Sequence, residues 1–165
     1  MMPKRFPVTA KLINYLLQLV LQLHQQLLKE TELLTQFQDP EQLTEIATQK
    51  KRLATEIEQL YQQLGQLLAA EQLPNNANGI QTYLRRAQLA GLDAAISLDN
   101  WQQLHDISIQ CQALNEQNGA SIELLSRHAN RSLNILKGKP QTADTYGRNG
   151  ATQSSSATIR TLISV

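Results

Sequence analysis

"TQFQDPEQLTEI", residues 35–46, joins two long Leu-rich stretches and decides how they fold on each other. Asp39 can accept the free backbone N–H groups that open a helix, and Pro40 suits the first helical position because its missing N–H is not needed there. Gln42 stands at the reach-back position of a capping box. A second helix therefore starts only two or three residues after the first one ends. So short a join makes the two helices antiparallel neighbours.

Apolar positions on both sides of the turn alternate in steps of four and three. Before it they are Leu12, Leu16, Leu19, Leu23, Gln26, Glu30, Leu33 and Phe37; after it, Leu43, Ile46, Lys50, Leu53, Ile57, Leu60, Leu64 and Leu67. Folding about Asp39 sets Phe37 against Leu43, Leu33 against Ile46, Leu23 against Ile57 and Leu16 against Leu64. The same register brings the two charged seam residues, Glu30 and Lys50, face to face. They read as a register-setting ion pair rather than as a catalytic acid and amine.

Upstream, Thr9 is expected to cap the first helix, with Pro7 just outside it. Lys4 and Arg5 ahead of Leu12 to Leu23 imitate a signal peptide. Against that reading, Asn14, Gln18, Gln22, Gln26 and Lys29 draw a polar stripe down the helix, and no small-x-small site follows. The expectation is a soluble, cytoplasmic helix. No uninterrupted apolar run reaches about 18 residues, so no membrane span is expected.

Downstream, Pro74 to Gly79 breaks the second helix, and Tyr83, Leu84, Ala87 and Leu89 suggest a short one ending near Gly91. Ser97 or Asp99 then opens a long helix with Leu98, Trp101, Leu104, Ile107, Cys111, Leu114, Asn118, Ile122, Leu125, Ala129, Leu133 and Leu136 on one stripe. Lys137-Gly138-Lys139-Pro140 stops it. Leu17, Leu21 and Leu28 lie off the hairpin seam, so a third helix must cover them or a partner does, and the long last helix is the obvious cover. The expected fold is all-α: an antiparallel helical hairpin plus a long third helix, a coiled-coil-like three-helix bundle with a short extra helix over residues 1–138. Residues 139–165, rich in Gly, Ser, Thr and Asn, are expected to form a mobile C-terminal tail.

With 165 residues, 41% of them hydrophobic, the chain can bury one moderate core. Its net charge of +1 comes from scattered residues, which offers neither nucleic acid nor an anionic membrane an electrostatic footprint. Leu (28) and Gln (22) supply aliphatic seams and amide faces, and both favour helix because neither is branched at Cβ. His24, His105 and His128 have no Glu or His at ligand spacing, and none has the His-x-x-Lys-Gly surroundings expected of a phosphotransfer module. Gly147 and Gly150 lack the Lys-Ser/Thr of a phosphate loop. Cys111 has no Lys or Arg beside it and reads as an inert buried thiol. Nothing points to an enzyme, a metal or a cofactor.

Asn115 to Gly119, "NEQNG", is the stretch that periodicity does not explain, since Asn-Gly favours a helix end or kink. Taken with Glu30, Lys50, Trp101 and "TYGRNG" (Thr145 to Gly150), it resembles the FlgN family of flagellar type III export chaperones. That family's pattern has a Glu in a Leu-rich first helix, a Lys in the second, a Trp ahead of Asn-x-x-Asn-Gly in a long last helix, and Tyr-Gly-x-x-Gly in the tail. The resemblance implies a cytoplasmic, non-enzymatic protein that binds hook-associated (hook–filament junction) proteins, prevents their premature polymerisation and delivers them to the export gate or its ATPase complex. Within that frame Ile122, Leu125, Ala129, Leu133 and Leu136 are expected to bind cargo, the alternative being that they are bundle core. Tyr146, Gly147 and Gly150 are expected to contact cargo or gate, the alternative being a solubilising tail. A helical adaptor or assembly module of another system is the competing function.

Overall fold

The computed structural model describes residues 2–36 and 39–138. Among them are four helices and no strand: α1 (Met2–Gln36), α2 (Pro40–Ala70), α3 (Ala77–Leu89) and α4 (Ala95–Leu136). The all-α bundle expected from the sequence is the fold observed.

The turn into α2 is built as its residue types suggest, with one variation. Asp39 Oδ1 accepts the Glu41 N–H at 3.0 Å and Pro40 opens the helix, but the Gln42 amide donates to Asp39 Oδ2 at 3.1 Å instead of to the backbone. Asp39 has a φ of 33°, a left-handed conformation that Asp tolerates better than most residues. Phe37 lies outside the described residues, so the Phe37–Leu43 layer does too.

The start of α1 corrects the expectation that Thr9 caps it. The helix begins at Met2 and takes Pro7 inside. Thr9 is buried and its hydroxyl donates to the Arg5 carbonyl at 3.2 Å, one turn back. Tertiary contacts hold this extra stretch: Phe6 is core, and the Arg5 guanidinium reaches Glu71 Oε1 at 3.1 Å and the Ala70 carbonyl at 3.4 Å. Burying one Phe side chain stabilises by roughly 1.5–3 kcal/mol, comparable to the ~3 kcal/mol that an interior Pro costs.

Between α2 and α3 the Asn-rich loop is structural. Asn75 packs onto buried Gly65, where a Cβ would stand 2.5 Å from the Asn75 amide nitrogen. Asn76 caps α3 by accepting the Gly79 N–H at 2.9 Å. At its far end α3 closes on Gly91, whose φ of +79° suits glycine, with Leu92 N–H returning to the Ala87 carbonyl.

Far from being an accessory, α3 is core: Ile80, Tyr83, Leu84 and Ala87 are all buried against Phe6, Ile13 and Leu16 of α1, Leu60, Leu64 and Leu68 of α2, and Trp101 and Leu104 of α4. Leu89, read as part of its apolar side, is instead almost fully exposed. The long helix starts at Ala95, before either expected residue; Ser97 is buried and Asp99 is already inside. Of the off-seam leucines of α1, Leu17 is buried, Leu21 half-buried and Leu28 exposed.

By length and composition α1 could cross a membrane, since a window within Pro3–Gln36 has mean hydropathy 1.2. The expectation rested on an unbroken apolar run, which α1 lacks; a window average passes over its few Gln and Asn residues. In the fold, the apolar face of α1 is core.

The chain divides into two compact units, Met1–Ile122 and Glu123–Val165. The second contains the end of α4, which stops at Leu136. Lys137 N–H returns to the Leu133 carbonyl, and Gly138 takes a φ of +65°.

Candidate functional site

A buried polar cluster lies in the middle of an aliphatic bundle. Lys50 Nζ on α2 sits 2.8 Å from Glu30 Oε2 and 3.1 Å from Oε1 on α1. Asn118 on α4 donates its amide to the same Glu30 Oε2 at 2.9 Å and to the Leu27 carbonyl at 3.0 Å. Its Oδ1 accepts from the Thr31 hydroxyl at 2.8 Å, so both ends of the amide are engaged. Glu30 and Asn118 are buried, whereas the Lys50 side chain keeps 21% of its surface exposed. Each polar atom in this cluster has a partner, which is what its burial requires.

These contacts fix the order of the helices. Glu30 with Lys50 and Arg5 with Glu71 set α1 and α2 antiparallel. Cys111 Sγ faces the Val20 carbonyl at 3.9 Å and Asn118 reaches Leu27, so α4 runs parallel to α1 along this stretch. Burial pushes the Cys111 thiol up in pKa, as suits an inert core residue. Thr9 donates to the Tyr83 hydroxyl at 3.4 Å, and burial likewise raises the Tyr83 phenol.

The face of α4 that packs on the rest of the bundle carries Trp101, Leu104, Cys111 and Asn118, all buried. The same helical period continues it through Ile122, Leu125, Ala129, Leu133 and Leu136. On those residues the burial ends: Leu125 is half-buried, Ala129 is exposed, and Ile122, Leu133 and Leu136 are 45%, 49% and 83% exposed. Beside the stripe, Arg127 and Glu123 form an i,i+4 ion pair at 3.3 Å.

"NEQNG" is neither a helix end nor a break, because α4 continues through it. Asn118 turns inward to the cluster, whereas Asn115 and Gly119 are exposed. A Cβ on Gly119 would meet nothing within 4 Å, and Gly inside a helix costs about 1 kcal/mol relative to Ala. The bridging roles of Asn118 and Thr31 were not legible in the sequence. A lone Asn in an apolar stripe, a known register device, was the available signal.

Tyr146, Gly147 and Gly150 lie outside the described residues. Of the histidines, His24 is half-buried, while His105 and His128 are exposed. His105 borders a cleft of about 200 Å³ with Tyr61, Asn75 and Trp101, smaller than the roughly 300–1,000 Å³ of typical ligand sites. Among the described residues no three His, Cys, Asp or Glu side chains come together as a metal site.

The family model described as FlgN protein matches residues 2–154, nearly the whole chain. The chain belongs to the FlgN family. Comparison with curated proteins and with solved structures returns no match. The FlgN family is the flagellar export chaperone family, which gives this chain its general role. Its Glu30, Lys50 and Asn118, taken from three separate motifs of the sequence, meet in one cluster that joins three helices. In this FlgN protein the last turns of the longest helix carry the exposed apolar side chains Leu133 and Leu136.

Proposed function

We propose that this FlgN-family chain is a cytoplasmic chaperone that binds hook-associated proteins before export and hands them to the type III export gate or its ATPase complex. The observation that carries the reading is the continuation of the α4 stripe. The face buried as far as Asn118 runs on, at the same helical period, as Ile122, Leu125, Ala129, Leu133 and Leu136, with Leu125 half-buried and the other four exposed. Upstream this face is covered by a helix, α1, so its geometry suits another helix. A cargo segment that polymerises outside the cell through sticky terminal helices is such a partner, and covering it blocks premature assembly. Tyr146, Gly147 and Gly150 serve in this reading as the contact to cargo or gate, with Tyr146 as a rigid aromatic anchor.

The test is titration calorimetry of the protein against the C-terminal segment of the cognate hook-associated protein, repeated with Leu125→Ala and Leu133→Ala together. Expected are tight binding by the wild type, its loss in the double variant, and an unchanged melting temperature. A large fall in melting temperature would return these residues to the core. Absence of binding by the folded wild type would sink the cargo assignment. For the tail, Tyr146→Ala is expected to impair secretion of the cargo; unchanged secretion and affinity would leave the tail a solubilising segment.

A further inference from the structure

A helix surface offers a partner's side chain a hole bounded by residues at i, i+3, i+4 and i+7. On α4, Asn115, Asn118, Gly119 and Ile122 have this spacing. The Asn118 side chain is turned away, fully committed to Leu27, Glu30 and Thr31. Gly119 contributes no side chain, and the space a Cβ would take is open to 4 Å. Asn115 is exposed on one wall, and Ile122, 45% exposed, forms an apolar wall on the other. The hole therefore has bare backbone for part of its floor.

Glycine at 119 has no use within the described chain. Its φ is not among the positive ones, it sits inside a continuous helix, and no neighbour presses on it. A residue that weakens a helix without serving a turn or an internal contact fits a close approach from outside. It stands where the α4 face changes from buried, at Asn118, to exposed, at Ile122. An occupant of this hole would thus extend an interface already made by a helix.

We infer that this hole receives one large apolar side chain, of the Leu, Met or Phe class, from the helix of the export substrate. Gly119 sets the fit. The inference rests on the chaperone reading and deepens it by naming the anchor that the partner must present.

The experiment titrates the full-length protein with the C-terminal segment of the cognate hook-associated protein, using wild type, Gly119→Ala and Gly119→Thr, with thermal melts of each. Gly119→Ala is expected to melt higher yet bind at least about tenfold more weakly, as overfilling a close contact does. Gly119→Thr, larger but a poorer helix former than Ala, is expected to bind more weakly still. A greater loss with Ala than with Thr would show that helix stiffness controls binding, and would overturn the inference. Equal binding by all three would overturn it and leave the chaperone reading standing. A folded wild type that does not bind at all would overturn both.

Discussion

Asn118 Nδ2 on α4 and Lys50 Nζ on α2 donate to the same carboxylate oxygen of Glu30, at 2.9 and 2.8 Å. One buried acid on α1 thus ties down both neighbouring helices. Lys50→Met removes the one cation that pairs with that acid among the described residues and is expected to destabilise the protein by about 3 kcal/mol. Replacing Glu30 and Lys50 together by Leu is expected to recover much of the loss, since no charge is then left buried. Urea unfolding of Glu30→Leu, Lys50→Leu and the double variant measures this; an additive double variant would contradict the pairing.

Asn118→Ala deprives the Leu27 carbonyl of a side-chain donor and Glu30 of one of its two, at an expected cost of about 2 kcal/mol. Asn118→Asp should be worse, because it sets a second carboxylate against Glu30. Chemical denaturation midpoints of the two variants give the order. If Asp is tolerated better than Ala, the hydrogen bond to Glu30 does not form.

Gly79 lies in the first turn of α3, where its N–H is taken by Asn76 and a Cβ would run into the Pro74 carbonyl. The obstacle is backbone and cannot rotate away. Gly79→Ala is expected to cost about 1–3 kcal/mol, although Ala is the better helix former. A thermal melt equal to or above that of the wild type would show that the loop before α3 yields freely.

Cys111 is buried, and its thiol is pushed up in pKa by that burial. The unfolded chain's thiol ionises near its ordinary value, roughly pH 8.5. Above that pH the unfolded state holds fewer protons than the native one, so stability falls as pH rises through the window between the two values. Below it the contribution is fully present. Melting temperature measured from neutral to alkaline pH is expected to decline in the wild type and less steeply in Cys111→Ala. A maleimide probe should label the native protein slowly and the urea-unfolded protein fast; fast native labelling would place the thiol at the surface.

Much of this architecture is local physics and could be read along the chain. Asp39-Pro40 fixes the hairpin, the three- and four-residue steps draw the seam, and Gly138 ends α4, because caps and amphipathic periods depend on residues within a turn or two of each other. The facing of Glu30 and Lys50 also follows, since a short turn transmits register along both arms.

What required the tertiary structure was every decision about which face is covered. Pro7 lies within α1 because Phe6 and Thr9 have a core to enter. The short α3 is core because Tyr83 and Leu84 fill space between the longer helices, which its 13 residues do not reveal. Asn118 and Ile122 share a stripe in the sequence, yet one is sealed by hydrogen bonds to α1 and the other left in solvent. A pattern of apolar positions states that a face prefers burial; whether a helix, or only water, lies against it depends on contacts some 90 residues apart in the chain.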